Sequence, residues 1–187
     1  MEFKRLTIPD VILCQPKILS DERGYFTETF RLDKLRNFSG YEINFCQDNE
    51  SRSSFGVLRG LHYQLPPHAQ TKLVRVIRGR ILDVVLDVRF GSPTFGQHVA
   101  VELDSNTKDQ LLVPKGCAHG FVVLSEEAIF AYKVDAYYHQ DSERGIAYSD
   151  PVLGIDWGIE KEHIKTSIKD SSLPLFKDAE YVNLQTT

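Results

Sequence analysis

Residues 73–89 read Leu-Val-Arg-Val-Ile-Arg-Gly-Arg-Ile-Leu-Asp-Val-Val-Leu-Asp-Val-Arg, which is the clearest β-strand signal in the chain. Two runs rich in β-branched residues, 73–77 and 81–89, flank a turn at Arg78-Gly79-Arg80. Glycine suits a backbone position with positive φ, so the stretch predicts a β-hairpin. In the second run the even-numbered residues are all apolar, as in a strand with one face against a core.

Short runs of the same kind recur on both sides of this stretch, at residues 25–30, 43–49, 57–64, 96–103, 110–113, 121–124 and 128–134. Turns or loops separate them, and residues 51–54 are assigned to a loop. Helix signals are confined to residues 31–38, ended by Gly40, and residues 159–168. The predicted class is therefore mainly β, a double-stranded β-helix (jelly roll) with a few short helices.

The size and composition of the chain fit one globular domain over residues 1–187. Residues 1–22 are predicted as N-terminal edge strands, and residues 158–187 as a C-terminal helical segment and tail whose last ten or so residues fray. A net charge of −4 argues against a protein that wraps nucleic acid. No apolar run approaches the ~20 residues that cross a membrane.

Three cysteines, Cys14, Cys46 and Cys117, match no disulfide or zinc spacing, which indicates free thiols in a reducing compartment. The first five residues show no signal-peptide pattern. The expected location is therefore the cytoplasm.

Polar residues interrupt the apolar strands at Arg59-Gly60-Leu61-His62-Tyr63-Gln64, and Lys72 follows with the strand parity of its apolar neighbours. Residues 47–52 are also polar for a chain that enters a β core. Because burying an unpaired polar group costs roughly 2–7 kcal/mol, we expect these residues to line a pocket. His62 is the first catalytic candidate, since imidazole has a pKa of about 6.5 and exchanges protons near neutral pH.

A further motif, Pro114-Lys115-Gly116-x-x-His119-Gly120-Phe121, contains a Pro-x-Gly-x-x-His pattern that resembles the second sequence motif of the cupin superfamily. Taken with the 59–64 stretch, Lys72-Leu73-Val74-Arg75-Val76, Tyr132 and Asp150-Pro151, it makes the chain resemble the dTDP-4-dehydrorhamnose 3,5-epimerase family. The resemblance runs in the expected order from about Arg23 to Asp170. It implies a cupin-like jelly roll.

The resemblance also implies an enzyme that inverts carbons 3 and 5 of dTDP-4-dehydro-6-deoxy-D-glucose and gives dTDP-4-dehydro-L-rhamnose. This reaction removes a proton beside a ketone, forms an enolate and returns a proton to the opposite face, so it needs a base and an acid on opposite sides of the sugar. By family position His62 is the base and Asp170 orients its imidazole. Tyr132 is the acid, and Lys72 stabilises the enolate oxygen.

The resemblance further assigns a set of residues to substrate binding: Arg23, Glu28, Gln47, Asp48, Asn49, Arg59, His119, Glu143 and Lys169. Tyr138 is expected to stack on the thymine ring. The two arginines suit a diphosphate, because a guanidinium contacts two oxygens at once. The family is dimeric, and Phe3, Leu6 and Ile8 are expected to lie exposed on an edge that pairs with a second copy in a homodimer.

No metal and no other cofactor is expected. The metal-binding cupins carry a His-x-His pair followed by a glutamate, whereas His62 is followed by Gln64 and then by Lys72, which would repel a divalent cation. No Gly-rich dinucleotide motif follows a strand, so hydride transfer is not indicated.

Two other functions fit the same residues. A related enzyme could invert only one of the two carbons, and a cupin could bind a nucleotide sugar without turning it over. Individually, His62, Tyr132 and Lys72 also suit ordinary structural roles, and Glu143 and Lys169 lie in charge-rich loops. Cys117 beside His119 suggests a thiol nucleophile, but the family pattern gives this cysteine no role.

One difficulty follows from strand geometry. In a regular strand Arg59 and His62 point to opposite faces. Both reach one pocket only if Gly60 allows a bulge or a twist, so the sequence predicts an irregularity there.

Overall fold

Two antiparallel sheets face each other in the computed structural model, which describes residues 1–183. The strands, numbered in chain order, are β1 (Glu2–Arg5), β2 (Ile12–Gln15), β3 (Ile18–Asp21), β4 (Gly24–Thr27), β5 (Gln47–Ser54), β6 (Leu58–Gln64), β7 (Lys72–Arg78), β8 (Arg80–Asp87), β9 (Arg89–Phe90), β10 (His98–Asp104), β11 (Gln110–Val113), β12 (Cys117–Val123), β13 (Glu127–Val134), β14 (Glu143–Gly145) and β15 (Val182–Asn183). The helices are α1 (Leu32–Ser39) and α2 (Ile168–Ser171), with short 3-10 turns at Gln140–Ser142, Lys161–His163 and Phe176–Asp178.

The sheet order is that of a jelly roll, and the predicted fold class is confirmed. One sheet has the order β1-β2-β11-β7-β13-β5 and the other β10-β8-β12-β6-β14. Two smaller pairs stand apart from these sheets, the β3–β4 hairpin and the parallel pair β9–β15. None of the described helices is long and apolar enough to cross a membrane.

The buried apolar residues form three layers. The central layer lies between the sheets and includes Val74, Val85, Leu111 and Phe121, each at most 4% exposed. A second layer covers the outer face of the five-stranded sheet with the C-terminal segment, including Trp157. A third layer packs α1 against β2, β7 and β11. Both faces of the five-stranded sheet are therefore buried, and its strands need not alternate polar with apolar residues.

Residues 73–89 differ from their predicted structure in one respect. Gly79 has the expected positive φ, 82°, but β7 and β8 belong to different sheets and form no hairpin. Neighbouring loops hold the turn instead: the Gly79 carbonyl accepts a hydrogen bond from Ser105 N at 3.0 Å, and Arg80 N donates to Ser125 Oγ at 2.9 Å. The apolar faces of β7 and β8 pack against each other across the core. The local sequence does not distinguish this packing from hydrogen-bonded pairing within one sheet.

Two segments have a different structure from the predicted one. Residues 51–54 belong to strand β5, because this polar edge strand pairs with β13 along its whole length. The helix predicted over residues 159–168 is absent. Ile159 and Ile164 instead pack on the second apolar layer in an irregular chain, and Lys165 forms a bridge with Val57.

The N-terminal residues proposed as an exposed edge are largely covered. Ile8 is fully buried in the central layer, Leu6 packs against it, and Phe3 stacks on Phe38. The prediction that these three side chains are exposed is therefore wrong, although β1 does form an edge of its sheet. The fraying predicted for the last ten or so residues lies partly outside the described residues.

The predicted irregularity at Gly60 is confirmed. Opposite β12, His62 pairs with His119 and Arg59 pairs with Phe121, so β6 has one more residue than its partner over this step. Gly60 has a φ of 124°. A Cβ atom on Gly60 would lie 2.5 Å from Gly120 Cα and 2.7 Å from the His119 carbonyl oxygen. The bulge therefore requires glycine.

We expect Gly60→Ala to destabilise the fold by about 3 kcal/mol, because the added methyl group overlaps the backbone of β12. Gly91→Ala is the control: Gly91 also has a positive φ, 93°, but a Cβ there meets no atom within 4 Å. This control should cost only the roughly 1 kcal/mol of unfavourable backbone conformation. Urea unfolding of both variants measures the difference, and equal losses would contradict the steric role of Gly60.

Candidate active site

A cavity of about 530 Å3 opens between the two sheets. All four predicted catalytic residues line it: His62, Lys72, Tyr132 and Asp170. Three of the predicted binding residues, Arg59, His119 and Lys169, line it as well. The bulge at Gly60 explains why both Arg59 and His62 line this cavity, since it turns both side chains toward the same space.

His62 is paired with a buried carboxylate. Its Nε2 atom lies 2.7 Å from Asp170 Oδ1, and Asp170 is 5% exposed. Burial alone would raise the pKa of Asp170, but hydrogen bonds from His62, Ser167 and the Gly60 backbone hold it below its ordinary value. An ionised Asp170 accepts the hydrogen of Nε2, which leaves Nδ1 as the basic nitrogen of the imidazole. The pair therefore has the arrangement of a general base with its orienting carboxylate.

Asp170 is fixed by the short helix α2. Ser167 caps this helix, and its Oγ atom accepts a hydrogen bond from Asp170 N at 3.0 Å. Ser167 and its neighbours Lys165 and Thr166 also line the cavity. Sequence reasoning missed these three residues. The signal that could have found them is the serine placed three residues before the aspartate, a common N-cap spacing.

Lys72 begins β7 and points into the cavity, as its strand parity predicts. Burial lowers the pKa of Lys72 to about 8, while Asp83 and Glu143 act in the opposite direction. Its ammonium group is therefore less stable in the fold than in water. It is also poised to interact with any negative charge that a ligand brings or develops.

Tyr132 lies on β13, and its ring packs beside Phe130, with 5.7 Å between the ring centroids. Burial raises the pKa of the Tyr132 phenol, although Arg59 opposes the shift. The hydroxyl is therefore protonated at neutral pH and able to donate a proton. Arg59 itself is oriented by Ser53, whose Oγ accepts a hydrogen bond from Arg59 Nε at 3.1 Å.

A second histidine–carboxylate pair lies deeper in the site. His119 Nε2 lies 3.0 and 2.9 Å from the two carboxylate oxygens of Asp83, which is fully buried on β8. The alternation in residues 81–89 puts Asp83 opposite the apolar even-numbered face, so the sequence predicts a polar face for it and no role. The sequence signal was that Asp83 has the same strand parity as Val85, since residues of this parity face the core.

The rim of the site is organised by Glu143. Its Oε2 atom accepts a hydrogen bond from the Tyr138 hydroxyl at 2.7 Å and lies 2.6 Å from Lys169 Nζ. Burial alone would raise the pKa of Glu143, but these two partners hold it below its ordinary value. Tyr138 is 58% exposed, so its ring is free to stack on a planar ligand.

The remaining predicted binding residues do not line the cavity. Gln47 and Asn49 are hydrogen-bonded to each other at 2.7 Å on β5, and Asn49 pairs with Tyr132 in the ladder. Asp48 lies between them, so it has the opposite strand parity, and it forms an ion pair with Lys133 at 2.8 Å.

Arg23 and Glu28 lie away from this cavity as well. Arg23 lies in the turn between β3 and β4 and is paired with Asp21 at 2.6 Å. The strand predicted over residues 25–30 ends at Thr27. Glu28 follows it and is paired with Lys34 at 3.1 Å.

Metal-ligating side chains are not clustered. Among residues 1–183, no group of three or more His, Cys, Asp or Glu side chains is arranged to hold a metal ion. Each of the two histidines in the cavity is bonded to one carboxylate, Asp170 or Asp83.

Proton transfer next to a ketone requires a base and an acid within reach of one substrate. In this jelly roll an imidazole, His62, and a phenol, Tyr132, line the same cavity. The fold and the site together define a cupin-type enzyme of acid–base chemistry. The sequence model of one family, described as dTDP-4-dehydrorhamnose 3,5-epimerase, matches residues 5–178. The chain belongs to this family.

Individual relatives agree with this assignment. The dTDP-4-dehydrorhamnose 3,5-epimerase of Pseudomonas aeruginosa is 47% identical over 180 residues, which cover 96% of this chain and 98% of the relative. A crystal structure of dTDP-6-deoxy-D-glucose-3,5-epimerase from Legionella pneumophila, in complex with dTDP-4-keto-L-rhamnose, is 44% identical with a TM-score of 0.93 and covers 98% of each chain. A 3′-monoepimerase from Streptomyces bikiniensis, in complex with dTDP-quinovose, is 34% identical with a TM-score of 0.85, over 92% of this chain and 86% of that one.

The charge of Lys72 should reduce the stability of the fold. Its pKa is lowered from 10.5 to about 8, so between these values the unfolded chain binds more protons and the wild type gains stability as pH rises. We expect Lys72→Met to raise the free energy of unfolding by about 1–3 kcal/mol at pH 6–7. This advantage should shrink as pH rises from about 8 toward 10.5.

Chemical denaturation across this pH range measures the effect. Lys4→Met, at an exposed position of β1, is the control and should change stability by less than about 0.5 kcal/mol. A Lys72→Met protein no more stable than the wild type at pH 6–7 would contradict the burial of an unfavourable charge.

Proposed function

We propose that this protein inverts carbons 3 and 5 of dTDP-4-dehydro-6-deoxy-D-glucose and produces dTDP-4-dehydro-L-rhamnose. The observation that carries the proposal is the His62–Asp170 pair in one cavity with Tyr132 and Lys72. Membership of the epimerase family supports it, as does the similarity to the Legionella pneumophila enzyme, which was crystallised with dTDP-4-keto-L-rhamnose.

In the proposed mechanism His62 takes the proton from the carbon beside the ketone. The electron pair of the broken C–H bond forms the enolate, and the negative charge moves to the former ketone oxygen. Asp170 stabilises the imidazolium that results, since its lowered pKa keeps it ionised. Lys72 meets the charge on the oxygen, and its buried position strengthens that interaction relative to water.

Tyr132 then donates its phenolic proton to the same carbon from the other face. The raised pKa of this phenol keeps the proton available at neutral pH. Inversion follows because the proton leaves on one face and returns on the other. After each inversion His62 gives its extra proton to water and Tyr132 takes one from water, which restores both groups. Two such cycles, at carbon 3 and at carbon 5, give the product.

The nucleotide half of the substrate is assigned to the charged rim. Arg59 and Lys169 are proposed to bind the diphosphate, and Tyr138 to stack on the thymine ring. Gln47, Asp48, Asn49, His119 and Glu143 remain proposed substrate ligands by family position. The chemistry is proposed to need no metal and no other cofactor, since Lys72 occupies the cavity with a positive charge.

The first test follows deuterium in heavy water by NMR, with dTDP-4-dehydro-6-deoxyglucose as the substrate. Deuterium should enter at carbons 3 and 5. His62→Ala should fold and lose at least about 10²- to 10⁴-fold in turnover, because a positioned base contributes that much. His98→Ala, on the edge strand β10, is the control and should exchange normally.

The alternatives give different outcomes in this experiment. Deuterium at one carbon would favour a mono-epimerase such as the Streptomyces bikiniensis relative. Binding of the nucleotide sugar without exchange would favour a non-catalytic cupin. Normal turnover by folded His62→Ala would remove His62 from the mechanism.

We further propose a homodimer in which the β3–β4 hairpin docks on a second copy. Leu19, Tyr25 and Phe26 on this hairpin are 51%, 59% and 68% exposed and form an apolar surface. Within the described residues Lys108 Nζ lies 4.7 Å from the centroid of the Tyr25 ring, which leaves most of this surface uncovered. The hairpin also carries Arg23, a proposed diphosphate ligand that lies outside the cavity of its own chain. Arg23, together with Glu28, would then serve the cavity of the partner.

An Arg23→Ala chain and a His62→Ala chain, each nearly inactive, test this arrangement when they are co-expressed. If Arg23 serves the partner, half of the randomly paired dimers contain one complete site out of two, so activity should return to about a quarter of wild type. If Arg23 serves its own chain, the mixture should show only the sum of the two parents. Sedimentation of the wild type as a monomer would also contradict the proposal.

The cytoplasm is the proposed location. Cys14, Cys46 and Cys117 are all free thiols in the structure, and two of them are buried. Such unpaired thiols suit a reducing compartment. No nucleic-acid partner and no membrane partner is proposed.

A further inference from the structure

Gln64, the last residue of the motif that begins at Arg59, has no part in the proposed chemistry. Its side chain is 6% exposed and makes three hydrogen bonds. Nε2 donates to the carbonyl oxygens of His68 at 2.6 Å and Tyr137 at 3.3 Å, while Oε1 accepts from His139 N at 2.7 Å. One buried carboxamide therefore joins the end of β6 to two separate loops.

The same two loops meet at a second contact. The imidazole rings of His68 and His139 are stacked, with 3.9 Å between centroids and 3° between planes. Gln70 adds a hydrogen bond of 2.7 Å from its Nε2 to the Ala136 carbonyl. The loop after β6 thus supports the loop after β13, and Gln64 lies where both are attached to the sheet.

Tyr138 lies between the two backbone groups that Gln64 holds. The carbonyl of Tyr137 and the N–H of His139 both bond to the carboxamide, so the backbone on each side of Tyr138 is fixed. The Tyr138 hydroxyl donates to Glu143, and Glu143 is the residue directly opposite Gln64 in the β14–β6 ladder. An aromatic ring with 58% exposure is therefore held at its backbone and at its hydroxyl without being buried.

We propose that Gln64 is a positioning residue that holds Tyr138 ready to stack on the nucleobase of the substrate. The inference deepens the proposed function and rests on it. An ordered ring binds a base more tightly than a mobile one, because less conformational freedom is lost on binding. Gln64 thus sets affinity for the nucleoside diphosphate, while His62, two residues earlier in the same strand, sets the rate of proton transfer.

The chemistry of position 64 is specific. Two carbonyl oxygens require a donor, and one N–H requires an acceptor, so only a carboxamide of this length meets all three. A carboxylate of the same shape offers acceptors alone and would face two carbonyl oxygens without a hydrogen to share. Gln64→Glu is therefore nearly isosteric, keeps the acceptor for His139 N and loses both donated hydrogen bonds, to His68 and Tyr137.

Titration calorimetry with dTDP tests the proposal on the wild type, Gln64→Glu, Tyr138→Ala and the double variant. Gln64→Glu should weaken dTDP binding about 3- to 10-fold and raise KM similarly, with kcat within about twofold of wild type. In the Tyr138→Ala background the same change should have no further effect on binding, because the ring that it positions is gone.

A Gln64→Glu protein that binds dTDP like the wild type would overturn the proposal, as would an undiminished loss in the Tyr138→Ala background. A fall in kcat without a change in dTDP affinity would do the same. A wild type that does not bind dTDP would refute the proposed function itself, so the two failures are distinct. If Gln64→Glu does not fold, Gln64→Met carries the same expectations without a charge, and unfolding of both variants would assign Gln64 to the fold alone and overturn the proposal.

Discussion

The close approach of β6 to β12 is the constraint on which the site depends. Two glycines, Gly60 and Gly120, face each other where any Cβ atom would collide with backbone. This contact admits one extra residue in β6, and the extra residue turns Arg59 and His62 toward the same cavity. Without it, the candidate base and the candidate diphosphate ligand would lie on opposite faces of the sheet. A backbone irregularity in β6 thus brings Arg59 and His62 into one site.

The charges of the cavity are unevenly satisfied, and this unevenness defines what the cavity can bind. Three carboxylates are paired with protein groups, Asp170 with His62, Asp83 with His119, and Glu143 with Lys169. A fourth, Glu50, lines the cavity and has no ion pair among residues 1–183. The cationic groups retain spare donors, since Arg59 bonds only to Ser53 and Lys72 has no hydrogen-bond partner among residues 1–183. The charge of Lys72 is unfavourable by itself, since burial lowers its pKa, whereas Arg59 is exposed. A ligand with a diphosphate and a developing enolate supplies the negative charge that these groups lack.

The sequence was sufficient for the fold class, because that class rests on strong local strand patterns. The resemblance to the family, and not a local pattern, placed Tyr132 and Asp170 at the cavity. Strand parity directed Lys72 inward, and the conflict between Arg59 and His62 required the bulge at Gly60. Features that depend on distant contacts were not predictable. The turn at Gly79 has the same local geometry whether its strands pair or face each other. The alternation pattern assigns Asp83 to the polar face of its strand, but that face points into the core. The irregular segment 159–168 depends on packing against Trp157 and its neighbours.

The two positions of β6 for which roles are proposed, His62 and Gln64, would separate binding from chemistry within one strand. His62 and Gln64 lie two residues apart and share a strand direction, yet their partners belong to different parts of the chain. Asp170 and the capped helix α2 hold the imidazole, whereas the loops around His68 and His139 engage the carboxamide. Interactions made equally in the ground and transition states change KM, and those that strengthen in the transition state change kcat. Because the carboxamide and the imidazole have different direct partners, we expect substitutions at Gln64 to alter nucleotide affinity while the direct contact between His62 and Asp170 is kept.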